Sequence, residues 1–258
     1  MFEFGNYSLS AIFSVSIILL FLASEVGHAL GLRAAGEANV TTLEAAILGL
    51  LALMISFTFA MALTRFEERR VAVLNEANAI GTAALRARLL PAPQSTESLK
   101  LLREYVAVRL AITERIPSSS EMSTAITRSN QIHNALWLQA SQVVAKDSGM
   151  VPTGLYIQAL NEMFDDQQKC LTAYSIRVPN IVFFALYGIA FVAIGFSGYS
   201  SGTEGRRWRV PVYTVSFLVA LVILLIQDID RPDVGFISVS QQPLIDAAHA
   251  IASYSEEF

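Results

Sequence analysis

Two ionisable residues interrupt the first apolar stretch of this sequence. Glu25 and His28 are three positions apart, so on a helix their side chains lie on the same face. A carboxylate and an imidazole inside a membrane are energetically unfavourable and usually functional: in proton transfer, along an ion path, or as half of a Glu-x-x-His metal site. If the helix ends near Ala23, both residues instead lie at the membrane interface. The sequence has no second such motif with further Glu ligands, so we expect no metal.

Three more charged residues, Asp228, Asp230 and Arg231, directly follow the last apolar stretch. One interpretation is an ion pair at the membrane edge, in which the long basic side chain reaches toward water. The other is an anchor that fixes the last membrane helix to the charged middle segment, through Arg65 or Arg69. The sequence leaves both interpretations open.

Two glycine patterns have structural rather than catalytic interpretations. Gly27 and Gly31 have the spacing of a GxxxG motif, which predicts close contact between two membrane helices. A later glycine-rich segment lacks the Lys-Ser/Thr of a phosphate-binding loop and the strand of a dinucleotide site. We therefore expect a flexible turn between spans at these glycines, which are Gly195, Gly198, Gly202 and Gly205.

The residue types that perform covalent catalysis are not grouped in this sequence. His133 and His249 each stand alone, and each is interpreted as a surface or core histidine. Cys170 is the only cysteine, which excludes a disulfide framework and a thiolate metal cluster, and we expect it to be a small packing residue. Without a Ser-His-Asp or Cys-His arrangement, we expect neither an enzyme nor a cofactor.

The composition indicates a membrane protein. Apolar residues make up 53% of the 258 residues and charged residues 16%, with a mean hydropathy of +0.49. Soluble domains are about a quarter charged, so this chain has either a very large core or a surface that faces lipid. A net charge of −4 and a pI near 5.4 argue against nucleic acid as the main partner.

The apolar residues are concentrated in four stretches, at positions 11–32, 45–63, 178–202 and 210–227. Each is close to the ~20 residues that a helix needs to cross the hydrocarbon core. A signal peptide is the alternative for the first stretch, but residues 1–10 contain no Lys or Arg and no small-x-small cleavage site follows. We therefore predict an all-α integral membrane protein with four transmembrane helices in two hairpins.

A charged segment separates the two hairpins. Residues 64–178 hold 24 of the 40 Asp, Glu, Lys and Arg residues, and we assign them to a helical domain in water that continues the second transmembrane helix. The first hairpin is 1–63, the second is 179–230, and a C-terminal tail follows at 231–258. Six basic residues near the membrane on this domain's side, against four on the other, favour a cytoplasmic domain with both termini cytoplasmic.

Turn residues divide the middle domain into three further helices. Thr96 is the predicted cap of the first, which runs to Ile116 before a proline. Ser118-x-x-Glu121 fits a capping box that opens the second. A glycine and a proline precede the third, which runs toward Arg177. No stretch shows sustained alternation of apolar and polar residues, so we expect little or no sheet.

The tail contains a short amphipathic segment. Apolar residues recur at helical spacing after Pro243, at Leu244, Ile245, Ala248 and Ile251. We expect a short helix that docks on a neighbouring subunit or on the membrane surface. Two acidic residues near the end of the chain disfavour an anionic surface.

The second helix has two different sides beyond the membrane. No proline occurs from Thr42 to Leu90, so one helix can leave the bilayer and extend for ~70 Å in all at 1.5 Å per residue. One side is apolar, with Phe66, Val73, Ala77, Ile80 and Ala84. The opposite side carries a polar stripe of Thr64, Glu68, Asn75, Asn78, Thr82 and Arg86. The stripe is either the solvated back of a bundled helix or the lining of a water-filled axis in an oligomer.

The same face continues into the membrane as an apolar one. Extending the stripe brings Leu50, Leu53, Phe57 and either Ala60 or Met61 into line. A ring of such side chains, one from each subunit, would form a hydrophobic constriction that gates by dewetting. The alternative is contact with lipid or with neighbouring helices, as expected of apolar residues in any membrane helix.

Several short motifs resemble those of one family. They are Arg65-Phe66-Glu67-Glu68-Arg69-Arg70, Glu76-Ala77-Asn78-Ala79-Ile80-Gly81-Thr82, Arg177-Val178-Pro179 and Asp228-Ile229-Asp230-Arg231-Pro232, with Gly235-Phe236-Ile237 behind the last. From about residue 48 to residue 246 the chain resembles the bestrophin-like domain family of bacterial membrane proteins. The resemblance implies a location in the bacterial inner membrane.

A more distant resemblance is to bestrophins proper, which are pentameric anion channels with two membrane hairpins around cytosolic helices. Their hydrophobic neck precedes a Thr-Arg-aromatic segment, which Thr64-Arg65-Phe66 resembles. This resemblance implies that Phe57 and Leu53 are neck residues. Gly49 departs from the pattern, since an apolar neck residue is expected there. An acidic calcium-binding cluster of the bestrophin type is not found.

Two hypotheses follow. The first is a homo-oligomeric ion channel, expected to pass anions such as chloride, with the second helix lining the pore. Its partners are further copies of the chain, with a pentamer implied by the bestrophin resemblance, together with membrane lipid and small inorganic ions, but no nucleic acid. The second is a membrane-anchored scaffold or sensor in which residues 64–178 bind a partner. A transporter is disfavoured because no broken helix or inverted repeat with a midplane site is evident.

Overall fold

The computed structural model describes residues 7–34, 40–112, 119–146, 149–205, 209–232 and 235–254. This part of the chain contains eight α-helices and no β-strand, which confirms the predicted all-α class. In chain order the helices are α1 (Leu9–Arg33), α2 (Thr41–Ala87), α3 (Gln94–Ala111), α4 (Ser119–Lys146), α5 (Val151–Ser175), α6 (Asn180–Thr203), α7 (Val210–Asp230) and α8 (Gln242–Ser253).

Four predicted spans are confirmed by length and composition, in α1, in α2, in the helical stretch that includes α6 and in α7. The Ser8 hydroxyl caps α1 by accepting a hydrogen bond from the Ala11 amide at 3.2 Å. This helix continues to Arg33, so the interpretation that it ends near Ala23 is wrong. No proline interrupts its hydrogen-bond ladder in that region, and Glu25 and His28 therefore lie within the helix.

Two predicted helix limits in the middle of the chain are also wrong. α3 begins at Gln94, directly after Pro93, rather than at Thr96. A proline is tolerated at a helix start because the first amides have no partner within the helix. α3 then ends at Ala111, before the predicted end at Ile116. The Ser118 half of the predicted capping box lies outside the described residues.

The chain divides into two compact units, and the first of these contains the most apolar helices. It includes α1, α2 as far as Phe66, α6, α7 and residues 235–237. Within it α1 packs along α6 and, less extensively, against α7. Its core is formed by apolar side chains from all four helices, including Leu20, Leu51, Phe183, Leu186, Ile194 and Ile223.

Glycines bring α1 and α6 into backbone contact. A Cβ added at Gly27 would lie 2.0 Å from the Gly195 oxygen, and one at Gly198 would lie 2.2 Å from the Ser24 oxygen. The close contact predicted from the GxxxG spacing is therefore confirmed. The predicted flexible turn is wrong for Gly195, Gly198 and Gly202, because α6 extends to Thr203, and Gly198 and Gly202 are needed where it packs on α1. Gly205 does lie in a turn, with a φ of 65°.

The second unit contains α2 from Glu67 onward, α3, α4, α5 and α8. Its core includes Tyr105, Ile132, Leu136, Leu160 and Met163, all at most 1% exposed. The predicted amphipathic helix of the tail is present as α8 and buries Leu244, Ala247 and Ile251. Its predicted docking on a neighbouring subunit or on the membrane is wrong for this buried face, because α8 packs on α3 of its own chain.

Candidate pore face

One side of α2 is left uncovered where the helix belongs to the first unit. Leu50, Leu53, Phe57 and Met61 are between 37% and 60% exposed, and Phe57 is the most exposed of the four. About a quarter turn around the helix, Leu51, Thr58 and Ala62 are at most 2% exposed. The four predicted neck residues therefore share the side of α2 that the core of this unit does not cover. We call them the apolar face.

The hydroxyl groups of this part of α2 are satisfied within the helix. Ser56, Thr58 and Thr64 each donate to the carbonyl oxygen four residues earlier, at 2.7 to 3.0 Å. This arrangement lets hydroxyl side chains remain in a membrane helix without an outside partner. The apolar face is thus not interrupted by an unsatisfied polar group from these residues.

The polar stripe begins one turn beyond the apolar face. Thr64, Glu68, Asn75 and Asn78 are exposed, whereas Thr82 and Arg86 are half-buried. Arg86 donates from Nη1 to the Leu155 oxygen at 2.7 Å, so this end of the stripe is tied to α5. The side that the sequence predicted as apolar is the buried one, with Val73, Ala77, Ile80 and Ala84 at most 4% exposed.

A buried polar cluster in the second unit fixes the orientation of α2, and sequence reasoning missed it. The Arg109 guanidinium donates to both Glu76 carboxylate oxygens, at 2.6 and 3.0 Å. The Tyr105 hydroxyl lies 2.9 Å from Glu76 Oε1 and 2.9 Å from Gln167 Oε1. The only hint in the sequence was that Tyr105 and Arg109 are four residues apart, and so share a face of α3.

Electrostatics within this cluster favour the charged pair. Burial lowers the pKa of Arg109, but the charge and hydrogen bonds of Glu76 outweigh burial and hold that pKa above its ordinary value. Burial, together with the neighbouring Glu76 charge, raises the pKa of the Tyr105 hydroxyl well above its ordinary value. Burial likewise raises the pKa of Cys170 to about 12, so its thiol stays protonated, as expected of a packing residue.

The two ionisable residues of α1 have different surroundings. Glu25 accepts hydrogen bonds from the Arg209 guanidinium and from the Tyr213 hydroxyl. His28 is half-buried, and its buried Nδ1 has no hydrogen-bond partner among the residues that the structure describes. Within the residues that the structure describes, no group of three or more His, Cys, Asp and Glu residues is arranged to hold a metal ion.

The two aspartates at the end of α7 hold backbone groups. Asp228 accepts from the amides of Phe236 and Ile237 at 2.9 and 3.1 Å. Asp230 accepts from the Val178 amide at 2.9 Å, just before α6 begins. With Arg231, these residues are at most 7% exposed, so they are an internal part of the first unit rather than a pair that reaches into water. The alternative pairing with Arg65 or Arg69 stays a prediction.

A family model for the bestrophin-like domain matches residues 9–244. The chain belongs to the bestrophin-like domain family. This confirms the family that the sequence motifs had indicated, and the match includes all of α2. No curated protein matches this bestrophin-like chain.

Solved structures share the fold of this bestrophin-like chain. A bacterial bestrophin homologue from Klebsiella pneumoniae has a TM-score of 0.71 at 12% identity, over 96% of this chain and 99% of that one. A point variant of the same homologue also has a TM-score of 0.71 at 12% identity, over 99% of this chain and all of that one. A variant of a membrane protein has a TM-score of 0.70 at 13% identity, over 95% and 97% of the two chains. At such low identity the agreement is one of fold.

Proposed function

We propose that this bestrophin-like protein is a homo-oligomeric, anion-conducting channel without enzymatic activity, in which α2 of each subunit lines the pore. The observation that carries the proposal is the uncovered side of α2. It is apolar at Leu53 and Phe57 and becomes polar at Thr64, Glu68 and Asn75 along one unbroken helix of 47 residues. In a subunit that only anchors a domain, nothing requires the polar stripe to continue the apolar face along the same side of α2.

The surface of the second unit supports assembly into an oligomer. Residues 67–176 of this unit expose large apolar side chains, including Leu74, Leu85, Leu89, Trp137, Leu138 and Val151. Exposed apolar patches outside lipid are typical of protein–protein interfaces. Further copies of the chain would cover them, and the bestrophin resemblance favours five subunits.

The apolar face supplies the proposed gate. In a closed ring, Phe57 and Leu53 from each subunit would surround the axis with side chains that cannot hydrogen-bond to water. A narrow pore with such a lining tends to dewet, and the loss of water stops ions until the ring widens. Gly49 leaves the outer end of this constriction without a side chain.

The polar stripe supplies the proposed ion preference. The exposed Asn75 and Asn78 side chains offer N–H donors, which suit anions. Glu68 is the only acidic residue of the stripe, and its charge opposes anion entry. Neutralising it in a Glu68→Gln variant should therefore increase the permeability of chloride relative to potassium, measured as a reversal potential across a salt gradient.

We further propose that the second unit lies in the cytoplasm of a bacterium, with both termini on the same side of the inner membrane. The six-to-four excess of basic residues supports this orientation. Because the only cysteine, Cys170, is buried, an Asn75→Cys variant offers a single accessible thiol. A membrane-impermeant maleimide should label it only after cells are permeabilised, and labelling of intact cells would reverse the orientation.

The channel is tested on purified protein in planar bilayers. The proposal predicts an anion current from a particle of several subunits that shows an axial hole in negative-stain images. A well-folded oligomer that carries no current would count against the channel. A monomer or dimer without an axial hole would favour the alternative, a scaffold or sensor.

A further inference from the structure

We infer that the first unit contains a binding site for one acyl chain of a membrane phospholipid, in a cavity between α1 and α6. The cavity has a volume of about 570 Å³. This volume falls within the range of about 300–1,000 Å³ that is usual for small-molecule sites. Its wall includes Ala11, Val15 and Leu19 of α1 and Phe184, Gly188 and Phe191 of α6.

The Ser16 and Tyr187 hydroxyl groups in the wall are occupied by the protein itself. Ser16 donates from Oγ to the Ile12 oxygen at 2.7 Å, so it acts as the acceptor for the Tyr187 hydroxyl at 2.8 Å. The Tyr187 oxygen in turn accepts from Gln227 Nε2 at 3.1 Å. This chain of hydrogen bonds runs from α7 through α6 to α1 and commits both hydroxyl hydrogens. A ligand therefore finds neither a free donor from Ser16 or Tyr187 nor a charged residue among those that line the cavity.

Gly188 keeps the cavity open. A Cβ added there would meet no atom within 4 Å, whereas at Gly198 and Gly202 it would meet backbone oxygens at 2.2 and 2.4 Å. Glycine inside a helix is less favourable than alanine by about 1 kcal/mol. Contact with α1 accounts for the glycines further along α6, but it does not account for Gly188. Its missing side chain instead leaves the space that the proposed ligand fills.

The exposure of the wall identifies hydrocarbon as the occupant. Val15, Leu19, Phe184 and Phe191 are between 46% and 56% exposed, so the cavity opens on the side of α1 and α6 that this unit leaves uncovered. Both helices are candidate spans, and the bilayer therefore supplies acyl chains at this depth. A wall without charged residues, in which the Ser16 and Tyr187 hydroxyls are already committed, suits the tail of a lipid better than its phosphate group.

The test uses the full-length protein in vesicles of phosphatidylethanolamine and phosphatidylglycerol that contain a phosphatidylcholine with a diazirine in its acyl chain. After irradiation, labelled peptides are identified by mass spectrometry. We expect labelling at residues 184–191 to be severalfold higher than at Leu218 and Leu221, which are exposed positions of α7. A Gly188→Phe substitution should reduce it to the α7 level, and Val192→Phe, outside the cavity, should not.

Three results would overturn the site. Equal labelling of α6 and α7 would show only the lipid that surrounds any membrane helix. Undiminished labelling in Gly188→Phe, or in Gly188→Leu if the larger substitution does not fold, would show that the acyl chain of the lipid does not bind in the cavity. Cross-links between two protein chains from a photoreactive residue at Phe184 would assign the cavity to a second copy.

Discussion

The Glu76 carboxylate and the Arg109 guanidinium form a two-point ion pair that joins α2 to α3 inside the second unit, with N–O distances of 2.6 and 3.0 Å. The two side chains are at most 5% exposed. Because Glu76 must face α3, its neighbours Asn75 and Asn78 face away from the core and remain exposed. The pair therefore sets which side of α2 faces the core of the second unit and which side stays exposed.

Removing one member of this pair should destabilise the second unit. In a Glu76→Gln variant the Arg109 charge is left buried without its counter-ion, and such a loss typically lowers the free energy of unfolding by about 3–5 kcal/mol. The matched control is Glu104→Gln, which breaks a surface pair with Arg128. That change should lower the same quantity by less than about 1 kcal/mol. Denaturant unfolding followed by circular dichroism measures both, and equal losses would contradict the assigned role.

His133 should make the second unit less stable in acid. Burial lowers its pKa to about 4, against an ordinary value of 6.5; the Glu76 charge raises this pKa and the Arg109 charge lowers it, both by less than burial does. As the pH falls, His133 is protonated in the unfolded chain before it is protonated in the folded one. Its contribution to the unfolding free energy is therefore fully present above about pH 6.5 and is lost as the pH drops toward 4. The loss from this residue is roughly 3 kcal/mol at most.

A His133→Phe variant isolates that contribution. Phenylalanine keeps an aromatic ring against Phe164, whose ring centre lies 4.0 Å from that of His133. The unfolding free energy of wild type and variant is measured against pH. The carboxylates contribute equally to both slopes, so subtracting one slope from the other leaves the contribution of His133. Identical slopes between pH 6.5 and 4 would show that His133 is not the group responsible.

A single methyl group at Gly198 should separate α1 from α6. The Cβ of Gly198→Ala would lie 2.2 Å from the Ser24 oxygen, and backbone cannot move aside as a flexible side chain can. Overpacking of this kind is expected to lower the unfolding free energy by about 3 kcal/mol. Gly188→Ala in the same helix meets no atom and should be neutral or slightly stabilising. Thermal unfolding in detergent compares them, and similar midpoints for the two variants would argue against the close helix contact.

The Asp228 carboxylate should slow hydrogen exchange at two backbone amides that follow α7. Asp228→Ala removes the acceptor of the Phe236 and Ile237 amides, while Asp246→Ala removes an exposed acceptor of Gln242 in α8. Loss of about 1.4 kcal/mol of local stability corresponds to roughly tenfold faster hydrogen exchange at the two amides. Unchanged exchange at Phe236 and Ile237 in Asp228→Ala would mean that other contacts hold this segment.

The membrane-spanning helices were predictable because they depend on local sequence. An uncharged run such as 45–63 predicts a span by itself, and the absence of proline predicts that α2 continues beyond the membrane. The two sides of α2 follow from helical periodicity in the same way. Thr96 shows the limit of such reasoning, because a cap chosen by residue type was displaced by Pro93 three residues earlier.

Contacts between distant residues were not predictable in the same way. Glu76 and Arg109 are 33 positions apart, and no periodicity in either helix identifies the other as its partner. Gly198 has the same residue type whether it permits a turn or a tight helix crossing, and only the position of Ser24 distinguishes the two. The partner of α8 was missed for the same reason, since an amphipathic face does not specify what covers it.

The measurement that tests the channel most directly is the closed-state current of Phe57→Ala beside that of Phe217→Ala. Both substitutions remove an exposed phenylalanine, from α2 and α7 respectively. If Phe57 forms the dewetted constriction, lowering that barrier by about 1.4 kcal/mol should increase the resting chloride current roughly tenfold. Phe217→Ala should leave the current unchanged. Equal resting currents in wild type and both variants, from oligomers that otherwise conduct, would contradict the assignment of α2 as the pore wall.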